Sequence, residues 1–359
     1  MQDVFLATDR LLGKEVAVKR AKNGSAERRF KRSAVLSARV NHPNVAKTLD
    51  YVDGSPPYLV EEYIEGFDLS ELIGDKLATI DPTLATQLAH GIVNGVAASH
   101  EQGVLHRDLK PSNIMVVGGF ASLGTKVTDF GIAKMTEEEF VEAAEGGDAT
   151  LTTSKTVVGA LPYMAPEAIE TPRDVTLAAD IWSLGALAYE LVYGKKPFGT
   201  GLIAVRNITA GTPPDYKAPD SGQQFAPSLT QLQELIQACL QHDPPKRPTA
   251  AALAQGFSDL CYSTAPRYTG TVSDIRYRSW GFIQQDRGPQ VFFHLSSVYG
   301  PRPKAGDRVF FAKYAGGGGR ACISRDQAQG IVKVIRYRTS HRRDRPDDAL
   351  DCPAAWLAS

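Results

Sequence analysis

The chain has 359 residues, of which 43% are hydrophobic and 22% are charged, a composition that is ordinary for a folded globular protein and argues against a largely disordered one. This length allows two or three domains, each with its own core. The sequence has no run of about 18 or more apolar residues and no basic-then-apolar signal at its start, so we expect a cytoplasmic protein without a membrane partner. The four cysteines lie far apart without a Cys-x-x-Cys pair, which argues against a disulfide framework or a zinc site.

The net charge of zero conceals two oppositely charged parts. Residues 1–263 carry 24 Lys and Arg against 32 Asp and Glu, a net charge of −8, whereas residues 264–359 carry 16 against 8, a net charge of +8. We therefore expect two bodies with different partners, and the basic one has the charge that suits a nucleic acid.

The first part of the chain has clear strand and helix patterns. Residues 4–9 and 15–20 alternate apolar and polar side chains around a Leu-Leu-Gly sequence, which predicts a β-hairpin. Residues 25–40 are helical in pattern, and residues 84–102 carry apolar side chains at helical spacing and lead into a polar segment. The later segment 250–262 is also predicted to be a helix.

That polar segment runs from His106 to Asn113 and supplies a carboxylate, an ammonium group and an amide at Asp108, Lys110 and Asn113. Asp129 opens an Asp-Phe-Gly turn sixteen residues after Asn113. Transfer of the γ-phosphoryl group of ATP needs a group that takes or orients the hydroxyl proton, cations on the developing charge and metal ions on the phosphates. Asp108 and Lys110 suit the first two tasks, and Asn113 and Asp129 offer the hard oxygen ligands that Mg²⁺ prefers.

Together with the Ala-Pro-Glu sequence that ends at Glu167, these motifs resemble those of the protein kinases, and Lys110 stands where serine/threonine kinases carry a lysine. The resemblance covers residues 1–263 and implies a two-lobed α+β kinase fold that uses ATP and Mg²⁺ and phosphorylates a protein substrate. It implies three sets of site residues: catalytic Asp108, Lys110 and Asn113; nucleotide-binding Lys19, Glu62, Tyr63, Asn113 and Asp129; and metal-binding Asn113 and Asp129.

The start of the chain departs from the kinase pattern. Kinases carry a Gly-rich loop just before the valine that Val4 matches, where it lets backbone N–H groups approach the phosphates. Its last glycine would fall at Gln2, so the loop and the strand before it are missing from the expected fold. Either translation starts upstream of Met1, which we favour, or the chain binds ATP weakly.

The usual partner of the nucleotide-binding lysine is also missing. Ser33 occupies the position of the helical glutamate that pairs with this lysine in kinases. Glu61 falls at the gatekeeper position, which is normally apolar and close to Lys19, and a carboxylate buried there without a partner would cost several kcal/mol. We therefore hypothesise that Glu61 pairs with Lys19, and the alternative is that Glu61 turns to solvent beside Glu62.

The segment from Asp129 to Glu167 is where kinases are switched. Six carboxylates between residues 137 and 148 indicate a solvated loop, and four hydroxyls follow as candidate autophosphorylation sites: Thr152, Thr153, Ser154 and Thr156. Arg107 is the expected receiver of such a phosphate. Ala160 stands where serine/threonine kinases usually have a threonine that bonds the catalytic residues. Further on, we expect Glu167 to pair with Arg247, and Asp180 to open the helix that anchors the catalytic segment.

The basic part contains two aromatic strand motifs that resemble those of the cold-shock domain. The match covers about residues 267–326 and implies an all-β, five-stranded OB barrel that binds single-stranded RNA or DNA. Residues two apart in a strand share a face, so four rings would form a stacking surface: Trp280, Phe282, Phe292 and His294. The alternative is that these rings fill the core, but Val272, Ile283, Val291 and Phe293 are apolar enough to do so instead. Asp274 should repel phosphate and weaken binding.

One internal repeat is present. The segment 270–279 matches 330–339 at six of ten positions, which suggests that a second barrel begins and is cut short. We expect residues 327–359 to hold this partial repeat and a disordered tail.

These features predict a serine/threonine protein kinase fused to a nucleic-acid-binding barrel. The alternative is a pseudokinase scaffold whose working part is the barrel, in keeping with Ser33, Ala160 and the missing Gly-rich loop. The intact Asp108, Asn113 and Asp129 favour the enzyme.

Overall fold

The computed structural model describes residues 2–21, 27–118, 123–130, 159–316 and 325–333. The acidic stretch at 137–148, the four candidate phosphorylation sites and the tail at 340–359 lie outside these residues. None of the described helices is long and apolar enough to cross a membrane.

The N-terminal lobe is built on a four-stranded sheet. Strands β1 (Gln2–Asp9) and β2 (Lys14–Ala21) form the predicted antiparallel hairpin. The carboxylate of Asp9 accepts the backbone N–H groups of Leu11 and Leu12 at 2.8 and 3.0 Å, which turns the chain between the strands. Strands β3 (Thr48–Val52) and β4 (Tyr58–Glu62) complete the sheet in the order β1-β2-β4-β3, so β2 and β4 are neighbours.

Helix α1 (Glu27–Ser37) packs against this sheet and is shorter than the predicted segment 25–40. Its buried Phe30 and Ala34 form a small cluster with Leu59 of β4, and the half-buried Tyr51 of β3 packs against them. The lobe is thus held by a small apolar contact between helix and sheet.

The C-terminal lobe is mainly helical. The α-helices of its described residues are α2 (Leu69–Glu71), α3 (Pro82–Glu101), α4 (Pro166–Glu170), α5 (Ala178–Tyr193), α6 (Gly201–Thr209), α7 (Ala226–Cys239) and α8 (Ala250–Asp259). Helix α3 begins where Asp81 accepts the N–H of Leu84, and its apolar face packs against α5, α7 and α8 in one core. The helices predicted at 84–102 and 250–262 are confirmed with shifted ends.

A three-stranded antiparallel sheet lies on this lobe, formed by β5 (Gly66–Asp68), β6 (Ile114–Val117) and β7 (Gly124–Val127). Ile114 pairs with Val127, so the residue before β6 and the residues after β7 lie at the same end of the hairpin. These residues are Asn113 and the segment Thr128 to Asp129. The hairpin therefore brings the two predicted motifs together.

Residues 267–316 and 325–333, here called the C-terminal module, form a five-stranded sheet. Its strands are β8 (Arg267–Arg276), β9 (Trp280–Gln285), β10 (Gln290–His294), β11 (Arg308–Gly316) and β12 (Arg325–Lys333). The hydrogen-bonded order β10-β12-β11-β8-β9 returns to its start because β9 also pairs with β10. All pairings are antiparallel except that of β10 with β12, where Phe292 faces Gln327.

The inner face of this sheet is apolar. Val272, Ile283, Val291 and Phe293 are all buried in one cluster, as expected from their alternation with the aromatic residues. The four residues predicted to form the stacking surface, Trp280, Phe282, Phe292 and His294, are not part of this core.

The module packs directly on the C-terminal lobe. Arg267 of β8 forms a buried, two-pronged ion pair with Asp81 before α3, with N–O distances of 2.5 and 3.0 Å. Tyr299 is fully buried, donates its hydroxyl to the carbonyl of Val192 at 2.8 Å and packs edge-on against Phe225. Because Tyr299, Phe310 and Val332 belong to the same apolar cluster as α3 and α5, the lobe and the module share a core.

The second copy of the repeat begins within the sheet of the C-terminal module. Strand β12 runs to Lys333, past the predicted boundary at 326, so the first four residues of the second copy belong to the same sheet as the first copy. Gly270 and Lys333 both pair with Val309, which places β8 and β12 on either side of β11. The remainder of the second copy lies outside the described residues.

Candidate active site

The segment from His106 to Asn113, here called the catalytic loop, is held by a buried carboxylate of α5. Asp180 accepts the backbone N–H groups of His106 and Arg107 at 2.8 and 2.9 Å and contacts the His100 ring at 2.8 Å. Burial by itself would raise the pKa of Asp180, but hydrogen bonds and nearby histidines lower it below its usual value. Arg107 has a φ of 69°, a strained conformation that these bonds hold in place. The predicted anchoring role of Asp180 is thus confirmed.

The three predicted catalytic side chains lie together. Lys110 Nζ lies 2.6 Å from Asp108 Oδ2, and Asn113 Nδ2 donates to the same oxygen at 3.0 Å and to the Asp108 carbonyl at 2.7 Å. Two donors therefore hold one oxygen of the Asp108 carboxylate, which restricts rotation of that side chain.

The catalytic loop is joined to the segment after β7. Thr128 donates its backbone N–H to the carbonyl of Asn113 at 2.9 Å, and His106 Nε2 lies 2.8 Å from the carbonyl of Thr128. The His106 ring also packs on buried Phe130, with ring centroids 4.7 Å apart. These contacts set the place of Asp129, whose φ of 63° is in the left-handed region.

Lys19, Glu61 and Asp129, here called the lysine triad, meet between the lobes. Lys19 Nζ lies 2.6 Å from Glu61 Oε2 and 2.7 Å from Asp129 Oδ1. Burial would lower the pKa of Lys19, but Asp129 and Glu61 raise it above its usual range. Burial raises the pKa of Glu61, although attraction to Lys19 opposes this. The hypothesis that Glu61 pairs with Lys19 is confirmed, and the alternative that it turns to solvent is wrong.

The two remaining predicted nucleotide-binding residues lie at the end of β4. The Glu62 carboxylate pairs with Lys126 Nζ at 2.6 Å and accepts the N–H of Lys47 at 2.8 Å, and Tyr63 is exposed. Both residues follow Glu61 directly, and the contact of Glu62 with Lys126 of β7 links the sheet of the N-terminal lobe to that of the C-terminal lobe. Their contact with a nucleotide stays a prediction.

The chemistry of the two predicted metal ligands suits Mg²⁺, and their role stays a prediction. Asn113 donates to Asp108 through its amide nitrogen, so its carbonyl oxygen would be the group offered to a metal ion, and Asp129 would offer a carboxylate. In the described part of the chain no group of three or more His, Cys, Asp or Glu side chains could hold a metal. Mg²⁺ suits a two-ligand protein site, because it takes its other ligands from phosphates and water.

The predicted structural pair below the catalytic loop is also present. Arg247 donates to both carboxylate oxygens of Glu167 at 2.6 and 2.8 Å, and its guanidinium lies 5.1 Å from the Trp182 ring centroid. Ala160, at the usual threonine position, is buried. The pair fixes α4 to the lobe.

The C-terminal module carries a second candidate site. Trp280, Phe282 and Phe292 are half-buried with ring centroids 5.8 to 6.1 Å apart, and His294 is exposed beside them. We call these four residues the aromatic face. They point away from the buried core, as their spacing predicts.

Sequence reasoning missed a cation on this face. The Arg276 guanidinium lies 5.4 Å from the centroids of both Trp280 and Phe282, and Asp274 Oδ2 accepts its Nε–H at 2.7 Å. Asp274, which was expected to repel phosphate, is therefore paired with a cation. The sequence could have indicated this ion pair, because Asp274 and Arg276 are two residues apart in β8 and such residues share a face of the strand.

Comparison with known proteins agrees with this site. A family model described as protein kinase domain matches residues 1–256. The chain is 36% identical to the probable serine/threonine-protein kinase PknB of Corynebacterium glutamicum, over 55% of this chain and 30% of the relative. It is 33% identical to the serine/threonine-protein kinase PkaA of Streptomyces coelicolor, over 68% and 42%, and 32% identical to the serine/threonine-protein kinase PrkC of Bacillus subtilis, over 66% and 34%.

The aligned part thus spans less than half the length of each of these relatives. The family match is nevertheless wide, because it covers well over half of this chain and includes the catalytic loop and the lysine triad. The chain therefore belongs to the protein kinase domain family.

Proposed function

We propose that this chain is a serine/threonine protein kinase that transfers the γ-phosphoryl group of Mg·ATP to a protein hydroxyl. The observation that carries the proposal is the placement of the Asp108 carboxylate, which Lys110 and Asn113 hold at 2.6 and 3.0 Å. A scaffold that has no reaction to perform does not need this arrangement. The names of the relatives support the same activity.

In this proposal each residue of the site has one task. Asp108 orients the acceptor hydroxyl and takes its proton, while Lys110 neutralises charge on the phosphoryl group. Lys19 binds the α- and β-phosphates, and the backbone at Glu62 and Tyr63 borders the nucleotide. Asn113 and Asp129 would hold Mg²⁺, which when bound neutralises the phosphate charges.

The lysine in the catalytic loop supports serine or threonine as the acceptor. Lys110 lies beside Asp108, with its Nζ 2.6 Å from Asp108 Oδ2, and it stands where the serine/threonine class that the sequence resembles carries a lysine. The threonine that usually assists there is replaced by Ala160, and among the described residues Asn113 and Lys110 hold the carboxylate.

The test is the initial rate of phosphoryl transfer from Mg·ATP to a general protein acceptor. Asp108→Asn should reduce this rate at least about 100-fold, since it removes the base but keeps the shape of the side chain. Asp215→Asn, at an exposed ion pair with Lys195, is the control and should leave the rate unchanged. Equal rates for wild type and Asp108→Asn would contradict the proposal.

We also propose that the C-terminal module binds single-stranded nucleic acid through the aromatic face. Two observations favour this. The first is the strand order, which with its one parallel pairing is compatible with the OB barrel that the sequence resembles. The second is that three clustered rings point outward on a module within residues 264–359, which carry a net charge of +8. Stacking of a base on a ring contributes about 1–3 kcal/mol.

Fluorescence anisotropy with a labelled single-stranded oligonucleotide of roughly ten bases tests this second proposal. Trp280→Ala with Phe282→Ala should weaken binding by at least about tenfold and binding should weaken with salt. Leu202→Ala, an exposed apolar residue of α6, is the control. Binding that is unchanged in the double variant would refute the role of the aromatic face.

A further inference from the structure

The lysine triad differs from the usual kinase arrangement in the source of one carboxylate. The sequence has Ser33 where a helical glutamate would pair with the lysine. In this structure the carboxylate comes from Glu61 of β4, 2.6 Å from Lys19 Nζ, and both side chains are buried. We propose that Glu61 is the positioning residue that orients Lys19 toward the nucleotide phosphates. This inference rests on the proposed kinase function and deepens it.

The sheet itself brings the two charges together. Ala17 of β2 faces Glu61 of β4, and Lys19 lies two residues further along the same strand face, so Lys19 and Glu61 are diagonal neighbours. Diagonal neighbours are within reach of long side chains. Both charged groups of the ion pair therefore come from the sheet, and neither is supplied by helix α1.

A regulatory consequence follows from this placement. In a kinase whose lysine pairs with a helical glutamate, movement of the helix makes or breaks the pair. Here β2 and β4 are joined by backbone hydrogen bonds, so movement of α1 leaves Lys19 paired. Lys19 in this chain is held in place constitutively.

Glu61 has a second effect, through Asp129. Lys19 contacts both carboxylates, and Asp129 is the proposed ligand of Mg²⁺. When Asp129 turns toward the metal, Glu61 still balances the buried charge of Lys19, so the lysine does not have to follow Asp129 or remain unpaired. Without Glu61, Lys19 and Mg²⁺ compete for the same carboxylate.

The experiment measures binding of a fluorescent ADP analogue to the whole chain over a range of Mg²⁺ concentrations, so it needs no phosphoryl transfer. Glu61→Gln keeps the shape of the side chain and removes its charge. It should weaken nucleotide binding about tenfold, the equivalent of one charge-assisted hydrogen bond, and should raise the Mg²⁺ concentration at half-saturation. A purely structural role for Glu61 would change the melting temperature but not the Mg²⁺ dependence.

Two further variants support the comparison. Asp53→Asn removes the carboxylate of an exposed ion pair with Lys31 in the same lobe and should bind nucleotide as the wild type does. Glu61→Leu, which has the apolar character typical of this position, provides the same test if the glutamine variant does not fold.

The outcomes separate this inference from the proposed function. Equal affinity and equal Mg²⁺ dependence in the wild type and the Glu61 variant, with nucleotide bound by both, would overturn the role of Glu61 and leave the kinase function standing. A wild-type chain that binds no nucleotide at any Mg²⁺ concentration would overturn both.

Discussion

Arg267 and Asp81 form an ion pair between the C-terminal module and the start of α3, and replacing Arg267 with methionine should destabilise the whole chain. Both side chains are buried, with 5% and 1% of their surface exposed. Removing one partner leaves a buried carboxylate without its counter-ion, which costs about 3–5 kcal/mol. Since each kcal/mol lowers the melting temperature of a large domain by about 2–4 °C, the expected decrease is about 6–20 °C.

Chemical denaturation followed by circular dichroism measures this loss, and a double-mutant cycle assigns it to the pair. Asp81→Asn removes the charge but still caps α3, because asparagine caps helices as well as aspartate does. The loss of unfolding free energy in the double variant Arg267→Met/Asp81→Asn should therefore be smaller than the sum of the two single losses by about 0.5–3 kcal/mol. Lys195→Met, at an exposed ion pair, is the control and should cost less than about 1 kcal/mol. An Arg267→Met loss no larger than that of the control would refute a shared core.

Three further predictions concern the helices, pH and the junction. Arg247→Lys keeps the charge but loses the two-pronged bond to α4, so the free energy of unfolding should fall by about 1–3 kcal/mol in urea titrations. The pKa of Asp180 is lowered in the folded state, so the ionised carboxylate stabilises the fold above its unfolded pKa, and this stabilisation is lost as the pH falls. The difference in unfolding free energy between the wild type and Asp180→Asn should therefore be largest at neutral pH and should shrink below about pH 4. Gly300 and Gly306 share a φ of 88°, but an added Cβ would lie 2.4 Å from Thr79 Oγ1 at Gly300 and would meet nothing within 4 Å at Gly306. With Gly306→Ala as the matched control, Gly300→Ala should therefore lower stability by about 1–3 kcal/mol more in thermal melts.

Local patterns predicted the parts of the fold that depend on nearby residues. The hairpin of β1 and β2 followed from its alternation, and the outward direction of the rings of the aromatic face followed from the period of two along β9 and β10. The catalytic loop was predicted because its chemistry lies within eight residues. Glu61 was predicted by counting along a resemblance, and the need to balance a buried carboxylate made its partner clear.

The junction between lobe and module could not be predicted in this way. Arg267 and Asp81 are 186 residues apart, and neither has a neighbour in the sequence that indicates the other. The repeat also gave no indication that residues 270–272 and 330–332 lie in two strands of one sheet, on either side of β11. Such features depend on tertiary packing, which periodicity does not encode.

The most direct test of the proposed kinase function is to map the phosphorylated residues by mass spectrometry after the chain is incubated with Mg·ATP and a protein acceptor. The account predicts phosphate on serine or threonine with the wild type, and none with Asp108→Asn under the same conditions. Phosphate that appears equally with both chains, or a folded wild type that binds Mg·ATP and transfers none, would contradict it.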